Sequence, residues 1–235
     1  MVGLSRRWPV LIAAIRDEAT HREWLPPAAH WISYPSLLGG LDISGGGTWL
    51  AVDSKACTAA FLINRQELST TRRQSRGQLP LWILASSLEL NPQDLDPFDG
   101  FILGRADSKG LSVWEWDTHN LVHRRLHKGV YGMCFQGIEV PHPRLQRHVP
   151  RFAAAHLPNP QNGESSSQAW GNWLNLLAGD KTTPDDHAAL LWSRTINGVP
   201  WASQSASCVA IGHHELRFDF SSDPACPDSW VPIAG

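Results

Sequence analysis

Apolar and polar positions along this chain fall into short blocks rather than long helical periods. The run Pro9-Val10-Leu11-Ile12-Ala13-Ala14-Ile15 is too brief for a helix and rich enough in branched residues for a buried strand. It ends in Arg16-Asp17-Glu18, so residues 9–15 are expected as a first strand that delivers a guanidinium and two carboxylates to its end. At the rim of a core, Arg16 can fork onto one carboxylate while the other stays free. Residues 47–52 and 56–63 predict a hairpin turning on Asp53-Ser54-Lys55, apolar on both faces and therefore inside the fold. Phe98 to Gly104, Leu111 to Trp116, Leu121 to Leu126 and Val130 to Phe135 are further strands, and Ser207–Ile211 and Leu216–Phe220 close the chain.

Helical spacing is rarer. Leu81 to Leu88 fits a short helix with Pro80 in its first turn. Pro143 to Ala155 places Leu145, Val149 and Phe152 on one side and Arg144, Arg147 and Arg151 on another. Trp170, Trp173, Leu174 and Leu177 mark a third helix, stopped by Gly179. Residues 19–40, broken by Pro26-Pro27, Pro35 and Gly39-Gly40, are expected as a long loop packed over the sheet by Trp24, Trp31 and Tyr34. Residues 91–99 and 157–168 also read as loops, and 65–76 are polar and basic. No repeat or composition break divides the chain. The pattern is that of a single α+β domain over residues 1–235, with mostly antiparallel sheets in two layers between helices.

Composition narrows the function classes. The chain has 235 residues, enough for a substantial core, with 42% hydrophobic and 18% charged residues, a globular balance. A formal net charge of −2 gives no electrostatic reason for nucleic acid or an anionic membrane as partner. No apolar run reaches the ~20 residues that span a bilayer. Arg6-Arg7 followed by Val10 to Ile15 resembles the start of a signal peptide, but the charged triplet stands where small cleavage-site residues belong. A soluble, cytoplasmic protein is expected.

The candidate chemistry is sparse. Gly45-Gly46-Gly47 lets backbone approach closely or lets N–H groups turn toward a ligand, and Thr48-Trp49-Leu50 follows it into a strand. A surface ion pair plus a flexible turn would account for the same residues. Cys57, Cys134, Cys208 and Cys226 make no C-x-x-C pair, so a zinc site or a disulfide framework is not indicated, and most are expected as buried small hydrophobes. His119, His123 and His127 recur every four residues, but on a strand they do not converge on one ion. His213 and His214 would point to opposite faces. Twelve tryptophans exceed what a core of this size needs, compatible with a concavity for an apolar or planar ligand and equally with composition bias.

Several of these blocks occur together in one order: Ile15-Arg16-Asp17-Glu18, Gly39-Gly40-Leu41-Asp42, Gly46-Gly47-Thr48-Trp49-Leu50, Asn64-Arg65, Ser75-Arg76-Gly77 and Leu79-Pro80. That order resembles the NRDE family, the group of transport-and-Golgi-organisation 2 relatives. Its motifs are Asn-Arg-Asp-Glu after a first strand and a Gly-Gly-Thr-Trp-Leu-Gly block. Gly129-Val130-Tyr131-Gly132 is similar to a further family segment, and Arg144-Leu145-Gln146-Arg147 lies where the family has a basic helix. The likeness spans about residues 8–152. Ile15 departs from the motif's Asn, and Met133-Cys134-Phe135 stands where Leu-Ser-Asn is usual. Relatives usually begin Met-Cys, whereas Val2 follows Met1 here.

The resemblance implies an αββα sandwich like that of N-terminal-nucleophile hydrolases. In those enzymes an exposed N-terminal cysteine attacks and its own α-amine is the base. Were such a cysteine present, Arg16 would orient an acyl or carboxylate group, Asp17 would hold the terminal ammonium or Arg16, and Asn64 would offer its amide to an oxyanion. A buried Arg16–Asp17 pair locking two sheets is the structural alternative. The family's part in haem handling implies a binder or carrier of a small apolar or planar metabolite, haem being the named ligand. Its ligand-binding residues would be Arg16, Asp17, Glu18, Gly46, Gly47, Thr48, Trp49, Asn64, Arg65 and Arg76, with no metal site. An amidohydrolase whose cysteine lies upstream of Met1, or a structural partner-binding module, are the other readings.

Overall fold

The first strand does not stop at the charged triplet. In the computed structural model, which describes residues 1–65, 74–86 and 90–235, β1 (Val10–Ala19) runs through Arg16-Asp17-Glu18. The extension holds because each of the three charges finds a partner, as described below. Two strands then form where a loop was expected, β2 (Trp24–Ala28) and β3 (Leu37–Asp42). β2 is an edge strand, so Pro26 and Pro27 forfeit little of the ladder, and its register slips between Leu25 and Ala28. Gly39 and Gly40 suit the interior of β3 because a side chain there would strike the Leu50 carbonyl or the Trp49 ring.

The hairpin of β4 (Leu50–Asp53) and β5 (Thr58–Asn64) turns as its sequence predicts. Asp53 Oδ1 accepts from the N–H groups of Lys55 and Ala56. A single 3₁₀ turn at Arg76–Gln78 leads into α1 (Leu79–Ala85), shorter than expected; residues 87–88 of that prediction, and 66–73 of the basic stretch, lie outside the described residues. One helical turn, α2 (Pro92–Leu95), interrupts the next loop. Then come β6 (Phe101–Asp107), β7 (Gly110–Trp116) and β8 (Leu121–Leu126).

The strand expected over 130–135 shrinks to β9 (Met133–Cys134), which pairs only with β10 (Gly137–Ile138). The residues before it are spent elsewhere: Gly129 exchanges both backbone hydrogen bonds with Val2. α3 (Pro143–Ala154) matches its periodicity. The Trp-rich helix is two pieces, α4 (Ser166–Trp170) and α5 (Asn172–Leu177), broken where Gly171 takes φ +51. A capping box of Ser165 and Gln168 starts α4, inside the stretch expected as a loop. β11 (Ser193–Ile196), β12 (Val199–Ile211), β13 (Leu216–Ser221) and β14 (Val231–Ala234) complete the chain. His213 and His214 sit in the β12–β13 turn rather than on a strand.

The content is α+β, and every pair of these strands is antiparallel. β2 to β8 form a seven-stranded meander; β1, β12, β13 and β14 form a second sheet in that order, with β11 also on β12. One apolar cluster draws Leu50, Val52, Ala59, Phe61 and Ile102 from the meander and Val10, Val209, Ile211, Phe218 and Phe220 from the second sheet. A second places Trp170, Trp173, Leu174 and Leu177 of α4 and α5 against Leu11, Ala206, Cys208 and Ala210 on the outer face of the second sheet. A third seats Leu79 and Ile83 of α1 on Ala60, Phe101, Leu103 and Trp116, the outer face of the meander. Each fully buried Leu, Val or Phe contributes roughly 1.5–3 kcal/mol to this arrangement. Among the described residues no helix is long and apolar enough to cross a membrane.

Candidate functional site

Adjacent residues of a strand face opposite ways, and this separates Arg16 from Asp17. Val10, Ile12 and Ala14 point between the sheets, while Leu11 and Ile15 point to the helical layer. Arg16 follows the first set. It is 7% exposed, with its guanidinium carbon 4.5 Å from the Trp49 ring centre and 5.8 Å from that of Trp24. The two indoles meet edge to face at 5.8 Å. Such desolvated cation–π contacts are worth about 2 kcal/mol. Arg16 Nη1 donates to Gln204 Oε1 at 3.1 Å, and Nη2 stands 3.7 Å from Glu18. Burial lowers the Arg16 pKa, and the charges of Glu18 and Asp42 oppose that shift.

The register between β1 and β12 shifts at Arg16/Asp17, with Arg16 opposite Ser205 and Asp17 opposite Ser203, so Gln204 is the extra, bulged residue. Its amide nitrogen donates to the carbonyls of Glu18 and Ala19 at 3.2 and 2.8 Å, which fixes the oxygen that receives Arg16. Asp17 faces α3. It accepts from Ser203 Oγ at 2.6 Å and from both terminal nitrogens of Arg144, which also donates to the Leu190 carbonyl. The buried Arg16–Asp17 pair considered from sequence is thus replaced by two separate contacts on opposite faces of β1. α3 continues the second one: Arg147 and Arg151 reach Asp180, and the buried His148 ring contacts the Ala188 carbonyl, with burial lowering its pKa.

A chain of charges runs along the rim from Glu18 to Arg22 (3.9 Å) to Asp42 (2.7 Å). Asp42 also organises the glycine run. Its Oδ1 accepts from the Gly45 N–H and its carbonyl from the Gly46 N–H, while the Thr48 N–H donates to the Gly77 carbonyl. These N–H groups are committed to protein acceptors. Gly46 takes φ +66, and a side chain on Gly47 would meet the Gly77 carbonyl carbon at 2.2 Å. Thr48 is buried and donates to the Leu50 carbonyl at 2.8 Å. Trp49 lies against Gly40, where an added Cβ would come within 2.2 Å of the ring.

Asn64 is exposed at the end of β5. The Arg65 N–H and Arg76 Nη1 both donate to the Gly100 carbonyl, at 3.0 and 2.8 Å. The structure therefore joins Arg16, Glu18 and Trp49 in one cluster, packs Gly46, Gly47 and Thr48 into the turn that leads to Trp49, and gathers Arg65 and Arg76 at Gly100.

Met1 and Val2 lie at the other end of β1, against Leu11 and Val10. Burial raises the thiol pKa of Cys57 and, much further, that of Cys208, which leaves neither activated as a nucleophile. Among the described residues, no group of His, Cys, Asp and Glu is arranged to hold a metal. His123 stacks on Trp114 at 4.5 Å instead. A shallow cleft of about 440 Å³ lies beside Arg6, Arg7, His213 and His214, where Arg7 grips Glu215 through two 2.7 Å hydrogen bonds.

Sequence reasoning named Trp24 as a packing residue and Arg144 as part of a basic helix but placed neither at the site, and it missed Ser203, Gln204 and Ser205. One signal was available: Ser203-Gln204-Ser205-Ala206-Ser207 puts four polar residues in five where β12 enters its buried half, which an apolar face does not require. No curated protein matches this chain. The sequence model of the family described as Transport and Golgi organisation 2 matches residues 3–210.

Proposed function

Given that the chain belongs to the Transport and Golgi organisation 2 family, we propose that it binds or carries a small planar, apolar metabolite with an anionic group, haem being the candidate that the NRDE resemblance names. The observation that carries this reading is Arg16. It is a buried guanidinium against two indoles that makes a single hydrogen bond among the described residues, with Gln204. A guanidinium has five donors, and a carboxylate offers a planar, bidentate match to them. Trp24 and Trp49 are half-buried beside it and supply flat apolar surface for the body of such a ligand. Arg16 would anchor the carboxylate, and Gln204 would hold Arg16.

Hemin titration followed at the Soret band tests the reading. Wild type should saturate near one equivalent, and Arg16→Met should bind at least tenfold more weakly at a melting temperature within about 4 °C of wild type. Absence of a saturable Soret change sinks haem. Loss of the melting temperature together with binding makes Arg16 a structural lock and favours a partner-binding module.

One observation favours an amide-cleaving hydrolase as the second reading: two antiparallel sheets lie face to face with helices on both outer faces, the layering of N-terminal-nucleophile hydrolases. That chemistry requires a nucleophile beside Arg16, so intact mass and N-terminal sequence of the protein from its own cells test it. A chain that begins upstream with cysteine and releases product from an acyl-anilide supports it. A chain that begins at Met1 or Val2 removes it.

A further inference from the structure

Ser205 faces Arg16 directly across the β1–β12 ladder, one residue from the bulge, and paired residues of an antiparallel ladder share a face. It is 1% exposed, and its Oγ has no hydrogen-bond partner. Other hydroxyls of this sheet have partners: Ser203 Oγ donates to Asp17 and accepts from the Trp192 N–H, Ser166 Oγ donates to Asp219 from α4, and Ser221 meets Ser229. Among the described residues Ser205 is the one serine left with a buried, unpartnered oxygen. Burying a hydroxyl without a partner is unfavourable, and such a group on the face that carries the Arg16 guanidinium, with a single hydrogen bond, calls for a further group to receive it.

We infer that Ser205 is the second anchor of this site and sets its selectivity: its hydroxyl donates to one oxygen of a ligand carboxylate while Arg16 engages the group from the facing strand. This rests on the planar-anion reading above and narrows it to carboxylates, as opposed to neutral planar molecules that the two indoles alone would accept. The bulge at Gln204 is what turns Ser203 and Ser205, two residues apart on β12, to opposite faces, so that Ser203 meets Asp17 on the side of α3 while Ser205 stands opposite Arg16. The hydroxyl is a specificity determinant and does no chemistry of its own.

The test uses 1-pyrenebutyrate and its methyl ester, a flat probe with and without the charge, read by pyrene fluorescence on wild type, Ser205→Ala and Arg16→Met. Wild type should prefer the acid. Ser205→Ala should weaken acid binding about tenfold, the effect of one hydrogen bond to a charged group, while leaving ester affinity and the melting temperature of the free protein unchanged or slightly raised. An unchanged acid-to-ester ratio in Ser205→Ala, with that ratio still lowered by Arg16→Met, overturns the role of Ser205 and leaves the binding reading standing. Equal wild-type affinity for acid and ester overturns the selectivity for carboxylates. Binding of neither probe removes both readings.

Discussion

Replacing Arg16 by Met and Asp17 by Ala, one residue apart on β1, should have very different costs. Arg16→Met forfeits a hydrogen bond to Gln204, a 3.7 Å ion pair with Glu18 and the stacking on Trp49, together about 2–4 kcal/mol. Against that, it removes the desolvation of a guanidinium 7% exposed, which is itself several kcal/mol, and Met keeps most of the apolar stem. Glu18 retains Arg22. The net change should stay within about 1 kcal/mol, or roughly 2–4 °C in Tm for a chain of this length. Asp17→Ala recovers no comparable penalty, because Asp17 and Arg144 are only partly buried, with side chains 23% and 17% exposed. It leaves the Ser203 hydroxyl proton and one face of Arg144 without their acceptor and unfastens α3 from β1. Two charge-assisted bonds at such exposure amount to about 2–3 kcal/mol. Urea unfolding of both variants and wild type decides the matter, read as midpoints at constant slope. If Arg16→Met costs as much as Asp17→Ala, Arg16 is a structural lock and the site loses its anchor.

The outer face of β13 carries a second test: Arg217 (3% exposed) grips Asp219 (0%) through bonds of 2.5 and 2.9 Å, so Arg217→Met should cost about 3–5 kcal/mol by stranding a buried carboxylate. The double variant Arg217→Met/Asp219→Leu should recover most of that loss in denaturant melts, and an unrecovered double would refute the stranded-charge account. Between the second sheet and its helices, the indole N–H groups of Trp8, Trp170, Trp173 and Trp230 are buried without partners. Trp173→Phe should therefore cost only about 1 kcal/mol, far below the roughly 3–5 kcal/mol of Trp173→Ala, in the same melts; equal losses would show that the N–H has a partner. Burial raises the pKa of Asp180, but hydrogen bonds from Thr182 and Arg147 outweigh it and hold the carboxyl at about 2, below its ordinary 3.8. Its contribution is complete above about pH 4 and is lost as pH falls toward 2, so Asp180→Asn should flatten the stability–pH curve in that window and leave neutral pH nearly unaffected.

Much of the fold follows from local pattern. Alternating residues over 101–126 and the apolar hairpin of β4 and β5 specify strands because side chains in a pleated ladder repeat every two residues. Leu145, Val149 and Phe152 specify α3 for the corresponding helical reason. β2 and β3 escaped that logic. Pro26-Pro27 and Gly39-Gly40 are poor strand residues anywhere but at a sheet edge and beneath a tryptophan ring, and both circumstances are tertiary.

The site divides in the same way. The residues Arg16, Asp17, Glu18 and the Gly-Gly-Thr-Trp block stand out in the sequence as charge and glycine concentrated beside apolar runs. Which charge meets which partner does not. A bulge at Gln204, the placement of Trp24 and Trp49 over one face of β1 and of α3 over the other, and the orphaned hydroxyl of Ser205 arise only when two sheets and a helix come together. Sequence carries the chemical identity of each group. Burial, facing and the supply of hydrogen-bond partners belong to the assembled fold, because desolvation and pairing depend on neighbours far away along the chain.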